Sequence, residues 1–252
     1  MATEFIRSEC DDGVLTVTLE RPQRRNALTA AMYTALREQF EAARDDAGIR
    51  VVLLRASGDC FCAGNDIDGF FAVRALPQGE RPGYRFMREL ITFPKPIVAA
   101  VNGVATGIGA TLLLHCDIAY AAADARFRFP FVDVGLVPEF ASTLLLPQLA
   151  GHARAAALLY RAEPFDAALA AAIGLISDIV APALLQTQAA AAARALAQKP
   201  VAALLATKRL LKEPLHAALL NRLDAEMQVL NQRLFAPETE HLLGALLPRS
   251  EH

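Results

Sequence analysis

The residue of this 252-residue sequence best placed to do chemistry is Glu139, set in the otherwise apolar run Gly135-Leu-Val-Pro-Glu-Phe-Ala-Ser-Thr143. A carboxylate among apolar neighbours is disfavoured unless it is hydrogen-bonded, protonated or used to move a proton, and desolvation raises its proton affinity toward that of a useful general base. A solvent-facing glutamate in the first turn of a helix, favoured by the helix dipole, fits the same residues. On the residues alone both readings stand. The second candidate is Pro96–Thr111, an uncharged strand pattern that feeds a turn containing Gly103, Gly107 and Gly109, where backbone N–H groups can point at a ligand oxygen. The same glycine spacing occurs in short-chain dehydrogenases, which also need Lys four residues after a catalytic Tyr. Here Tyr33, Tyr84, Tyr120 and Tyr160 are followed at that distance by Arg37, Arg88, Asp124 and Pro164, so a nucleotide site is not expected.

Other clusters are weaker. His115, Cys116 and Asp117 are consecutive, and neighbours in sequence do not face one another, so they read as a packed helix end and not as part of a triad. Without an HExxH or paired histidines at ligand spacing, no metal is expected. Four cysteines without a CxxC pair suit a reducing compartment. The first ten residues lack a basic segment followed by an apolar one, so no secretory signal is expected and the expected location is cytoplasmic. With a formal net charge of −2 the chain has no basic excess to bring it to nucleic acid or an anionic membrane. Pro96–Leu114 approaches the length of a membrane span, but Asn102, three glycines and the Lys95-Pro96 start suit a strand, a turn and a helix better.

The elements that must position these residues read as an α/β chain with 54% hydrophobic residues, enough for a sizeable core. Val14–Leu19 alternates as a half-exposed strand, paired in a hairpin with Phe5–Ser8 across Asp11-Asp12-Gly13. After a loop with three arginines, Thr29 reads as the N-cap of a helix that buries Met32, Leu36 and Phe40. Val51–Leu54 and Ile97–Val101 read as buried parallel strands, and the loop Ala56–Ile67 lies at the carboxyl end of the first, where ligands of open α/β sheets sit. Residues 74–83 read as a mobile loop before a short helix through Phe86–Ile91, and Gly107–Leu114 as a helix. Short strands are expected at Asp117–Ala121, Ala125–Phe129 and Ile176–Val180, and helices at Leu144–Leu149, Ala153–Leu159 and Asp166–Ile173. From Pro182 the chain is Ala- and Leu-rich and helical, punctuated by Pro200, Pro214 and Pro237, with its packing expected on the main body or a neighbouring subunit.

Taken together, seven pieces resemble the crotonase (enoyl-CoA hydratase/isomerase) superfamily along nearly the whole chain. They are Arg21-Pro-x-x-x-Asn-Ala-Leu28, Phe61-Cys-Ala-Gly-Asn-Asp-Ile67, Pro94-Lys-Pro-Ile-Val-Ala-Ala-Val-Asn-Gly103, Gly107-Ile-Gly109, Cys116-Asp-Ile-Ala119, Phe129-x-x-x-x-x-Gly-Leu-Val-Pro-Glu139 and Ala170-x-x-x-Gly-Leu175. The resemblance implies a spiral of ββα turns over residues 1–181, a C-terminal helical oligomerisation region over 182–252, and a homotrimer or dimer of trimers. It implies an acyl-CoA thioester as ligand, coenzyme A being part of the substrate and no further cofactor being needed.

The implied oxyanion hole is formed by the backbone N–H groups of Asn65 and Ile108; the family often has Gly at the second position, but a main-chain donor survives the change. Ala27, Ala63, Gly64, Asp66, Ile67, Gly107 and Phe131 fall at substrate-binding positions, Arg24 and Arg25 are candidates for the CoA phosphates, and Lys208 matches a frequent family sequence. Hydratases of the family carry two glutamates where this chain has Thr111 and Phe131. Glu139 falls where one branch of the Δ3,Δ2-enoyl-CoA isomerases places its single catalytic glutamate. The resemblance therefore implies a proton-shuttling isomerase. A hydratase or related lyase supported by Asp68 or Asp133, and a non-catalytic acyl-CoA-binding subunit, are the alternatives. Residues 70–85 are expected to shape the acyl pocket.

Overall fold

The computed structural model describes residues 4–69 and 74–245. Its larger sheet has six strands in the order β1-β2-β3-β4-β6-β9, where β1 is Ile6–Asp11, β2 Val14–Leu19, β3 Val51–Ala56, β4 Ile97–Val101, β6 Ile118–Ala122 and β9 Asp178–Val180. Only β1 runs antiparallel to its neighbour, through a tight turn that places Asp12 and Gly13 at positive φ. The others pair in parallel, with Val52 opposite Ile97, Val98 opposite Ile118 and Tyr120 opposite Asp178. All five residues of β4 are buried, as expected for a parallel strand covered on both faces. A second sheet of three short strands holds β5 (Val104–Thr106), β7 (Arg126–Arg128) and β8 (Phe165–Asp166).

The chain alternates between the two sheets. β4 leads through Gly103 into β5 and then into helix α3 (Ile108–Thr111), and β6 leads into β7, so successive turns stack strand on strand in both sheets. Helix α1 (Ala30–Asp45) is capped by Thr29, whose hydroxyl accepts from Met32 N at 3.2 Å, and it buries Met32, Leu36 and Phe40 as its period requires. Helix α2 (Pro82–Ile91) packs against it, with Phe40, Phe86 and Phe93 edge to face. Helices α4 (Ser142–Ala150), α5 (His152–Arg161) and α6 (Ala167–Ala172) precede β9.

The C-terminal region is α7 (Leu185–Ala197), α8 (Val201–Leu234) and α9 (Pro237–Gly244). Leu185, Ala189, Ala193 and Ala197, four residues apart, bury one face of α7 against the larger sheet, so the hydrophobic core continues across residue 181. Pro200 and Pro237 mark the start of helices as expected, but Pro214 lies inside α8. The helix continues through it because contacts on both sides hold it: Lys208 is buried before the proline, and Leu219, Leu223, Met227, Leu230 and Leu234 after it.

Three smaller departures from expectation have local causes. The strands β5 and β8, of three and two residues, are too short to show a period. The expected helix Gly107–Leu114 is α3 followed by a 3-10 turn at Leu112–His115. The loop expected to be mobile over 74–83 is tied down where Arg81 donates to the carbonyls of Leu76 and Arg74 and to Asn231, and the helix after it starts at Pro82. Residues 70–73 of the expected acyl-pocket loop lie outside the described residues. Among the described residues no helix is long and apolar enough to cross a membrane.

Candidate active site

The glycine turn and the 62–65 segment close on each other because neither carries side chains at the contact. Cys62 bridges to Ala105 and Asn65 to Leu28, so the segment is held between the loop before α1 and β5. Gly64 (φ +106°) gives its carbonyl to Leu28 N at 2.8 Å, and a Cβ there would come within 3.3 Å of the Thr106 carbonyl oxygen. At Gly109 a Cβ would meet the Cys62 carbonyl oxygen at 2.4 Å, and Gly107 (φ +55°) has a conformation open to glycine. Two main-chain donors of these segments are left without a protein acceptor among the described residues. Ile108 N–H opens α3 and has no intrahelical acceptor, and Asn65 N–H has no protein acceptor among the described residues. The Asn65 side chain is fixed separately, its Oδ1 accepting from the Tyr33 hydroxyl at 2.6 Å. Burial and then the charges of Glu139 and Cys62 raise the Tyr33 proton affinity, so the phenol stays a donor.

Glu139 is 4% exposed, so it is a buried carboxylate and not a solvent-facing helix cap. Its Oε1 accepts from Thr111 Oγ1 at 2.6 Å. Burial pushes its pKa up to about 8; the Thr111 hydrogen bond opposes that rise, and the charge of Glu226 adds to it. The approach to Glu139 is clamped by the C-terminal helices, since the Gly135 carbonyl accepts from Arg233 Nε at 2.8 Å and Thr239 Oγ1 at 3.0 Å. Phe140, next in sequence, stacks on His115 with ring centroids 4.0 Å apart, and its carbonyl lies 2.7 Å from His115 Nε2. Burial pushes the His115 pKa down to about 3, which keeps the ring neutral with Nε2–H donating to that carbonyl.

Asn65, Asp66, Tyr33 and Glu139 line one pocket of about 630 Å³, whose apolar wall includes Leu28 and Met87 and, from α8, Met227, Leu230 and Leu234. Arg74, Arg81 and Tyr84, from the loop expected to shape an acyl pocket, line it too. Gly64, Gly107 and Ile108, in the turn just described, are not among its lining residues. Ala63 is anchored by its N–H to the Arg25 carbonyl at 3.0 Å, and Ala27 receives Arg21 NH1 on its carbonyl at 2.9 Å. Ile67 is half-buried against the core, and Phe131 is buried.

Asp66 binds Arg21 at 2.6 Å and lies 3.7 Å from Arg24, which is itself 3.1 Å from the exposed Asp68. Arg25 is exposed in a left-handed turn. Asp133 pairs with Arg128 at 2.6 Å, and neither Asp68 nor Asp133 is in the pocket wall. Lys208 stands apart from the site. Its ammonium donates to Asp117 at 2.7 Å and to the Lys95 carbonyl at 2.5 Å and lies over the Phe93 ring, which makes it a buried tie between α8 and the start of β4.

Three partners of Glu139 escaped sequence reasoning. Tyr33 lies on a helix face already accounted for as core, and Thr111 was considered only as a missing carboxylate. Glu226 carried a usable signal: it shares the buried face of the apolar stripe Leu219, Leu223, Met227, Leu230, Leu234 of α8, a position where a charge needs a partner.

Among the described residues the pocket holds one carboxylate of raised proton affinity, Glu139, and the residue Asn65 with its unused main-chain donor, between partly apolar walls. Residues 9–241 match the family model described as enoyl-CoA hydratase/isomerase. The chain is 37% identical over 235 residues to the 1,2-epoxyphenylacetyl-CoA isomerase of Escherichia coli (strain K12), covering 90% of this chain and 87% of that one. It is also 37% identical over 229 residues to a probable enoyl-CoA hydratase of Rhodobacter capsulatus, again covering 90% and 87%. Among solved structures, Pseudomonas aeruginosa OdaA superposes with a TM-score of 0.94 at 41% identity, over 98% of this chain and 100% of that one. With the two-sheet spiral, the glycine turn and these likenesses in agreement, the chain belongs to the enoyl-CoA hydratase/isomerase, or crotonase, superfamily and is an enzyme of that family.

Proposed function

We propose that the protein is a Δ3,Δ2-enoyl-CoA isomerase in which Glu139 is both base and proton donor. The carboxylate takes a proton from C2 of a 3-enoyl-CoA thioester, the electrons move into the thioester to give a dienolate, and the same carboxyl group returns the proton at C4. The product is the conjugated 2-enoyl thioester, with no net gain or loss of atoms. Asn65 N–H and Ile108 N–H receive the developing oxyanion, a role commonly worth about 3 kcal/mol per donor. The chemistry calls for no metal or redox cofactor.

The observation that supports this reading is that, among the described residues, Glu139 is the carboxylate of the pocket wall with no ion pair. Asp66, the other acid there, is held as an anion by Arg21 and Arg24. Thr111 supports Glu139 through a hydrogen bond and has no acid of its own to activate water. A general base with a pKa near 8 is well matched to a weakly acidic carbon. In the same proposal the exposed Arg24 and Arg25 meet the CoA phosphates, the location is cytoplasmic, and the assembly is a trimer or dimer of trimers joined through the C-terminal helices.

Incubation with 3-hexenoyl-CoA should give 2-hexenoyl-CoA, and Glu139→Gln should lower kcat by roughly 10³-fold while KM stays within a few-fold. Addition of water to 2-hexenoyl-CoA at a comparable rate would make the protein a hydratase. Tight binding of both thioesters with no turnover would make it an acyl-CoA-binding subunit. 1,2-Epoxyphenylacetyl-CoA, the substrate in the Escherichia coli relative's name, is the third thioester to offer.

A further inference from the structure

Two consecutive non-glycine residues, Phe140 (φ +63°) and Ala141 (φ +57°), stand in the left-handed region between Glu139 and α4. A residue with a Cβ is strained in this conformation, which persists only where the surroundings hold it. Ala141 occupies the N-cap position of α4 and has no side chain with which to cap it. The cap comes instead from α8, 85 residues further along the chain. Glu226 Oε2 accepts from Ala141 N at 2.6 Å, and Oε1 accepts from Thr143 N at 2.9 Å and from Thr143 Oγ1 at 2.6 Å. Glu226 is 6% exposed and has no ion-pair partner among the described residues, so three short hydrogen bonds are what keep it where it is.

We propose that Glu226 is the positioning residue of this active site: by capping α4 across the fold it fixes the Phe140–Ala141 turn and thereby aims the Glu139 carboxylate into the pocket. The proposal rests on reading Glu139 as the base. His115 holds the other side of the turn through the Phe140 carbonyl. The groups facing Glu139 are Tyr33 from α1, Cys62 from the 62–65 segment, Thr111 from α3 and Glu226 from α8. Facing Glu226 are Thr143 and Ala141 from α4 and its approach, Arg222 from its own helix, and Glu139. The Glu226 charge strengthens Glu139 as a base, and the helix that carries it also supplies Met227, Leu230 and Leu234 to the pocket wall. Base orientation and acyl-pocket shape therefore share one element.

The test separates charge from position and includes a readout that needs no turnover. Glutamate labelled with ¹³C at Cδ reports each carboxyl titration by NMR, and the Glu139 signal is identified by its loss in Glu139→Gln. In Glu226→Gln, which removes the charge and turns an amide toward the Thr143 donors, the Glu139 midpoint should fall by about half a unit or more, and kcat should fall about tenfold with KM unchanged. Glu226→Asp keeps the charge on a shorter arm; kcat should fall while the midpoint stays near the wild-type value. Should both variants fail to fold, Thr143→Val, which removes one of the three donors, should lower kcat several-fold with KM unmoved. An unmoved Glu139 midpoint and unmoved kcat in the folded variants overturn the proposal. If the wild-type protein turns over no 3-enoyl thioester but the midpoint still falls in Glu226→Gln, the coupling of Glu226 to the Glu139 carboxyl stands and the isomerase reading is the one that fails.

Discussion

Asp66 and Glu139 line the same pocket and both expose little surface, 6% and 4%, with Glu139 the more deeply enclosed, and their proton affinities move in opposite directions. Burial raises both. At Asp66 that rise is outweighed by the hydrogen bond from Arg21, the Gly69 N–H, and the charges of Arg21 and Arg24, so its pKa is held below the usual carboxylate range. At Glu139 the opposing partner is one hydroxyl, from Thr111, and the charge that acts on it, that of Glu226, is another carboxylate. Desolvation sets how much an ionised carboxylate costs, and the partners decide which form is kept. Asp66 is therefore a brace that ties the Arg21–Leu28 loop to the segment after Cys62, while burial favours the neutral form of Glu139.

The sharpest way to break this contrast is a stability measurement against pH. Because the Glu139 pKa is higher in the folded protein (about 8) than its ordinary value of 4.5, the folded state binds more protons between those values. The stability linked to Glu139 is complete below about pH 4.5 and is lost progressively as the pH rises through about 8. Glu139→Gln removes that dependence. Denaturant unfolding of the variant should show stability near wild type at pH 5 and a gain on the order of 3 to 4 kcal/mol over wild type at pH 9. Equal pH dependence in the two proteins would mean that Glu139 is not held neutral by burial.

Arg21→Met approaches the contrast from the other side, by giving Asp66 the unpaired state of Glu139. The Asp66 carboxylate would keep Arg24 at 3.7 Å and the Gly69 N–H at 3.3 Å, and the Ala27 carbonyl would lose its donor. Breaking a buried pair from one side costs about 3 kcal/mol, to be read as a lower urea midpoint at pH 7. The sign with pH is opposite to that at Glu139. Wild-type Asp66 contributes stability above its ordinary pKa of 3.8 and loses it as the pH falls through its depressed folded value, so the penalty in Arg21→Met should shrink as the pH is lowered and Asp66 takes up a proton.

The same contrast explains what could be read from the sequence. The glycine turn was legible because close backbone approach leaves no alternative residue: a Cβ at Gly103 would lie 1.8 Å from the Asp59 carbonyl oxygen, and Gly109 is equally confined by Cys62. The buried strands β3 and β4 were legible from their continuous apolar runs. Glu139 stood out as a lone acid in an apolar stretch, but whether it faced solvent depended on the Phe140–Ala141 turn, and that turn is set by His115 and Glu226, which are distant in sequence. Lys208 looked like a ligand contact from its local motif, whereas its partner Asp117 lies 91 residues away and only the packed fold brings the two together. Local constraints on backbone show in sequence, and pairings between distant polar side chains do not.

The smallest expected effect tests the one hydrogen bond on which Glu139 relies. Thr111 is fully buried, and its hydroxyl is the group that moderates the rise caused by burial. Thr111→Val preserves the shape of the side chain and removes the donor, so the carboxylate loses stabilisation that the neutral acid does not need. The base should then titrate above its wild-type midpoint, and at pH 7 a smaller fraction of the enzyme should carry the anion. Isomerisation of 3-hexenoyl-CoA at pH 7 should fall by roughly fivefold to tenfold, the equivalent of about 1 kcal/mol. Raising the pH past the new midpoint should restore most of the rate, because the variant base is present but protonated. A loss that persists at high pH would instead mean that Thr111 holds the Glu139 carboxylate in place, and that its partner acts through geometry more than through charge.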